Sequence, residues 1–104
     1  MEKLSYAFDA SNALPAMQSQ VMVGVVGSGD LEVLIEPGTG QTRIQITTSV
    51  DGMAPVWEAL MNRLFVGASF PAMQIEMNDF GATPGVVRMR IEQALEELGL
   101  LHNE

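Results

Sequence analysis

At Pro55 the spacing of apolar residues changes from every second position to every third or fourth. An extended chain sends successive side chains to opposite faces, whereas a helix returns to the same face every 3.6 residues, so this switch separates sheet from helix. Before it, Leu4, Tyr6 and Phe8 alternate with Lys3, Ser5 and Ala7. Leu31, Val33 and Ile35 alternate with Glu32, Leu34 and Glu36, and Ile44, Ile46 and Thr48 share one face of a further run. After the switch, Trp57, Leu60, Met61, Leu64 and Phe65 fall on one helical stripe, with Gly67 placed to end it. Met73, Ile75 and Met77 return to alternation. Thr83-Pro84 then predicts a helix start, a capping hydroxyl with proline in the first helical position. Val87, Ile91, Ala94, Leu95 and Leu98 make the buried stripe of that second helix, Arg88 and Glu92 its wet side, and Gly99 its stop.

The remaining segments punctuate this pattern. Residues 9–20 read as a loop or a short helical turn, and residues 21–26 as a central strand covered on both faces. The break at Gly27-Ser28-Gly29-Asp30 joins that run to the next, as in a hairpin. Further turns fall at Pro37-Gly38-Thr39-Gly40, Asp51-Gly52 and Asn78-Asp79-Phe80-Gly81. The expected order is β-β-β-β-α-β-α. Two helices cannot cover both faces of such a sheet, so the fold class is α+β: a two-layer sandwich, with both helices on one face of a four- or five-stranded, mainly antiparallel sheet. The strand–helix–strand stretch over residues 43–77 suits a parallel crossover pair or a meander with a helical excursion.

Composition narrows the function. A chain of 104 residues supports one core, so residues 1–104 are expected to form a single domain, and 47% hydrophobic content is enough to build it. Thirteen acidic residues against five basic ones give a net charge of −8, which repels nucleic-acid phosphates and favours basic partner surfaces. There is no cysteine, and the one histidine, His102, stands third from the C-terminal end. Disulfides, thiolate metal sites and a pocketed histidine base are therefore unsupported, and no catalytic or metal-ligating residue is assigned. With no signal peptide and no apolar run of spanning length, the expected location is the cytoplasm, with no membrane partner. Met61, Met73 and Met77 are read as core gap-fillers.

One segment carries chemistry. Gly24, Gly27 and Gly29 let the backbone bend tightly around Ser28 and leave its hydroxyl open. That arrangement suits an ordinary hairpin tip, a phosphate cradle, or a serine that acts as nucleophile or modification acceptor. The cradle is weakened because a strand, not a helix, follows it, and because Asp30 and Glu32 would repel a free phosphate. The nucleophile lacks both a paired base and a strand–helix elbow. A serine that another enzyme modifies survives this comparison. Asp30, Glu32 and Glu36 form a second group, read as a solvated strand face or as a docking surface for a basic partner.

The run Val25-Val26-Gly27-Ser28-Gly29-Asp30-Leu31-Glu32-Val33-Leu34-Ile35-Glu36-Pro37 resembles the prosthetic-group segment of the malonate decarboxylase acyl carrier proteins, the delta subunits of that enzyme. Asn78-Asp79-Phe80-Gly81-Ala82-Thr83-Pro84-Gly85-Val86-Val87, continuing through Arg90-Ile91-Glu92-Gln93-Ala94-Leu95, resembles the second signature of that family and also fits the wider citrate lyase carrier group. The resemblance implies that Ser28, between Gly27 and Gly29, carries 2′-(5″-phosphoribosyl)-3′-dephospho-coenzyme A through a phosphodiester. It implies a cycle in which an acetyl carrier exchanges with malonate and decarboxylation restores the acetyl carrier. The implied partners are the carrier transferase and decarboxylase subunits, a malonyl transferase, and the phosphoribosyl-dephospho-coenzyme A transferase that attaches the group. A citrate lyase carrier is the alternative within the family group. A small regulatory domain holding an anion at Gly27-Ser28-Gly29 is the alternative outside it.

Overall fold

The computed structural model describes residues 1–10, 30–67 and 70–98. Its elements run β1 (Glu2–Asp9), β2 (Leu31–Pro37), β3 (Gln41–Thr48), α1 (Ala54–Phe65), β4 (Met73–Asp79) and α2 (Pro84–Glu97). The expected strand at 21–26, the hairpin tip with Gly27, Ser28 and Gly29, and the stop at Gly99 lie outside the described residues.

The strands form one sheet in the order β1-β3-β4-β2. β1 pairs antiparallel with β3 and β2 antiparallel with β4, while β3 and β4 are parallel. The sheet is thus mainly antiparallel, and of the two arrangements open for residues 43–77 the parallel crossover is the one formed. A parallel pair needs a connection of about a dozen residues or more, which α1 and its flanking turns supply. β2 and β3 are consecutive in the chain yet not neighbours in the sheet, because β4 lies between them. The turn joining them crosses the start of β4, where the Gly38 amide donates to the Ala72 carbonyl at 3.0 Å. A Cβ at Gly38 would come within 2.8 Å of the Met73 carbonyl carbon, so only glycine allows the chain to pass so close.

Alternation along each strand sorts the sheet into two faces. Val33, Ile35, Ile44, Ile46, Ile75 and Met77 are buried on one, and both helices lie on that side, contributing Trp57, Met61, Phe65, Val87, Ile91, Ala94 and Leu95 to the same core. Lys3, Ser5, Glu32, Arg43, Gln45, Gln74 and Glu76 are exposed on the other. Both helices on one face is the expected two-layer arrangement. Phe65 stacks on Phe8 with ring centroids 5.6 Å apart and meets Phe70 edge-on at 6.0 Å, tying the end of α1 to β1 and to the approach to β4. Val66 and then Gly67, at φ +75°, end that helix. The Tyr6 hydroxyl donates to the Ala54 carbonyl at a long 3.4 Å. Desolvation, with the nearby carboxylates Glu58 and Glu2, raises the pKa of Tyr6 above the ordinary tyrosine value of 10.0. Among the described residues, no helix is long and apolar enough to cross a membrane.

Candidate functional site

The parallel pairing of β3 and β4 decides where the site lies. Each of these strands leads into a helix, so the N-termini of α1 and α2 gather at the end where both strands finish. β2 runs the opposite way and begins at that same end, with Leu31 opposite Asp79 and Glu32 opposite Asn78. The described part of the first run singled out in the sequence, residues 30–37, therefore starts beside Asn78 and Asp79, where the second run begins.

Asp79 organises this end. It is only 4% exposed, and its carboxylate is filled by local donors. Oδ2 accepts from the Thr48 hydroxyl at 2.8 Å, and Oδ1 from the amides of Ala82 at 2.9 Å and Gly81 at 3.3 Å. The Asp79 carbonyl accepts from the Ser49 amide at 2.9 Å. One side chain so fixes the turn after β4 and links it to the end of β3. The chain then passes to Thr83, whose hydroxyl accepts from the Val86 amide at 3.3 Å and caps α2 ahead of Pro84. The capping residue is the one expected, and Arg88 meets Glu92 on the wet side of the helix at 2.8 Å. Read as turn residues, Asn78 and Asp79 prove to be the last two residues of β4. The turn starts two positions later than expected, at Phe80.

Phe80 connects this turn to the segment of interest. Its amide donates to the Asp30 carbonyl at 2.8 Å, while the residue as a whole is 55% exposed. Asp30 is half-buried at the start of β2, the first described residue after Ser28. Gly27, Ser28 and Gly29 themselves lie outside the described residues. Glu32 is exposed and Glu36 half-buried on the open face of the sheet, and Glu76 of β4 extends the same acidic surface opposite Leu34. The shared face expected for Glu32 and Glu36 is present.

Beside Phe80 lies a feature that the sequence reading did not find. A cleft of about 260 Å³ opens between the first turns of the two helices, and its walls include Val50, Met53, Trp57, Leu60, Ala82 and Pro84. Asp79 and Gly81, the residues on either side of Phe80, also line it. Its lining is mostly carbon. Trp57, read as core, is one wall of this cleft as well as part of the core. The signal available in the sequence was weak, because apolar residues in turns such as Val50 and Ala82 carry no periodicity. Among the described residues, no three Asp, Glu or His side chains come together as a metal site.

With this geometry in hand, the likeness to known proteins is specific. The family model of the malonate decarboxylase delta subunit matches residues 18–98. The malonate decarboxylase acyl carrier protein of Azotobacter vinelandii is 57% identical over 99 residues, 94% of this chain and 97% of that protein. The protein of the same name from Pseudomonas syringae pv. syringae is 54% identical over 100 residues, 95% of this chain and 98% of that protein. A chain in the crystal structure of a Pseudomonas malonate decarboxylase hetero-tetramer in complex with malonate superposes with a TM-score of 0.81 at 53% identity, covering 95% of this chain and 100% of that one. Fold and sequence together define the class of small acyl carrier subunits that serve a multisubunit enzyme. Within that class, the chain belongs to the malonate decarboxylase delta subunit family.

Proposed function

We propose that this chain is the non-catalytic acyl carrier of a cytoplasmic malonate decarboxylase, holding acetyl and malonyl groups on a 2′-(5″-phosphoribosyl)-3′-dephospho-coenzyme A group joined to the Ser28 hydroxyl. The observation that carries this reading is the pairing of β2 with β4, which sets the run that follows Ser28 beside the Asp79–Thr83 turn. The described part of one run that resembles the family thus lies beside the start of the other.

When attached, the group supplies a thiol through which acyl groups are held as thioesters and exchanged. The chain's own residues supply an anchor and a platform. Ser28 supplies the hydroxyl to be esterified, and two residues of chain, at most about 7 Å, separate it from Asp30. The Asp30 carbonyl is tied to the Phe80 amide, so the chain enters β2 from a fixed point. A covalent phosphodiester needs no binding pocket for its phosphates. The carboxylates of Asp30 and Glu32 repel them and keep that part of the group in water. Fixing the anchor confines the thiol to a small volume, which raises its effective concentration at any active site the body docks against. Those sites would belong to the carrier transferase, malonyl transferase and decarboxylase subunits, and attachment would be the work of a phosphoribosyl-dephospho-coenzyme A transferase.

The test is intact mass after co-production with that transferase and its triphosphoribosyl-dephospho-coenzyme A precursor. The wild-type chain gains one group, and Ser28→Ala gains none while unfolding within about 0.5 kcal/mol of wild type. A Ser28→Ala chain that still gains the group would move the attachment elsewhere. Ser49, exposed after β3, and Ser69 are the serines to examine next.

A further inference from the structure

We infer that the cleft between the first turns of α1 and α2 shelters the acetyl thioester end of the chain's own prosthetic arm, and that the malonyl form stays outside it. This rests on the attachment at Ser28 proposed above.

Position comes first. The cleft includes Asp79 and Gly81, and Phe80 between them holds the Asp30 carbonyl at 2.8 Å. Asp30, two residues along the chain from Ser28, is therefore held beside the rim of the cleft. Size comes next. At about 260 Å³ the cleft is smaller than the roughly 300–1,000 Å³ of sites that enclose a whole drug-sized ligand, so it suits the end of an arm and not its nucleotide. Chemistry decides which end. Met53, Trp57, Leu60 and Ala82 offer carbon surface to a methyl group and a thioester, both uncharged. A malonyl end carries a carboxylate, which would lose its water against these walls and lie near the buried carboxylate of Asp79. Tethering makes even a weak site effective. A group held on a flexible arm has an effective concentration of about 1 mM, which half-fills a site of millimolar affinity. Acetyl is thus kept out of water between turnovers, and exchange for malonyl releases the arm to a partner.

The chain contains its own reporter, because Trp57 is its only tryptophan and forms one wall of the cleft. The experiment prepares the modified protein as thiol, acetyl and malonyl forms, checks each by intact mass, and records Trp57 fluorescence and the rate of thioester cleavage by hydroxylamine. The acetyl form is expected to shift the Trp57 emission and to be cleaved about twofold or more slowly than acetyl-coenzyme A, as half-occupancy requires. The malonyl form is expected to match the unmodified chain in emission and malonyl-coenzyme A in cleavage. Filling the cleft by Ala82→Leu should abolish the acetyl effects. Should that variant fail to fold in urea titrations, Val56→Phe, placed from a rim residue that is 38% exposed, serves the same purpose. Acetyl and malonyl forms that behave alike overturn the inference while leaving the carrier reading intact. A Trp57 signal that responds to added partner subunits but not to acetylation overturns it too, and makes the cleft a partner dock. A mass that shows no group at Ser28 removes both readings.

Discussion

The Thr48 hydroxyl donates to Asp79 Oδ2 at 2.8 Å across the parallel pair β3 and β4, in a place where both residues are buried. The remaining capacity of that carboxylate goes to the Gly81 and Ala82 amides, so removing it strips both amides of their acceptor and leaves the Thr48 hydroxyl only its 3.4 Å bond to the Val50 carbonyl. Asp79→Ala is expected to cost about 2–4 kcal/mol, while Thr48→Val, which keeps the Gly81 and Ala82 amides paired but removes the acceptor of the Val50 amide, should cost about 1–2 kcal/mol. Urea unfolding of the two variants separates these values. Equal losses would mean that the turn after β4 holds itself without the carboxylate.

Gly38 tests the inserted strand. Gly38→Ala drives a Cβ to within 2.8 Å of the Met73 backbone, which must shift, and a loss of about 1–3 kcal/mol is expected. Gly85→Ala meets nothing within 4 Å and is the matched control in the first turn of α2. Similar midpoints for the two variants in thermal unfolding would contradict the crossing of β4 by the β2–β3 turn.

Tyr6 is the only tyrosine, so its ionisation can be followed by absorbance without ambiguity. Its folded pKa lies above 10.0 because burial, and then Glu58 and Glu2, disfavour the phenolate. The folded state therefore holds the phenol proton more tightly than the unfolded chain does. The associated stability is complete below pH 10 and is lost as pH rises from 10 through the folded value. Tyr6→Phe should remove this part of the alkaline loss, and Glu58→Gln should bring the absorbance midpoint back toward 10. A wild-type midpoint at or below 10 would refute the assignment.

Glu32 tests the acidic face. It is exposed on the open side of the sheet, near the start of β2. Charges at the rim of a contact act mainly on association rate and are screened by salt. Glu32→Lys is expected to slow acyl transfer to the partner subunits more at low than at high ionic strength, with unfolding unchanged. Glu96→Lys, exposed on α2, makes the same change in net charge and should have a smaller effect. Equal slowing by both would assign the effect to net charge alone.

The elements were legible because each strand buries a single face. Alternation at Leu31, Val33 and Ile35, or at Met73, Ile75 and Met77, survives only when one side of a sheet is wet. The Thr83 cap was legible for a local reason, since a hydroxyl three residues before an amide can satisfy it whatever the rest of the chain does. Strand order was not. Nothing near Leu31 or Gln41 states that β4 will slide between β2 and β3, because that choice depends on contacts made across dozens of residues. The burial of Asp79 and the cleft beside Trp57 follow from the same arrangement. They were hidden because a polar turn residue and scattered apolar ones look ordinary until the parallel pair brings them together.

The β2–β3 turn has a use of its own. Thr39 is exposed there, and β2 runs away from Asp30 for seven residues before reaching it, about 20 Å of strand. A dye, spin label or affinity handle attached at Thr39 would ride on the far end of the sheet from Asp30, next to which the arm is proposed to attach. Carriers immobilised through that residue would all present the same end to solution, so encounters with partner subunits could be timed one molecule at a time without the label blocking them.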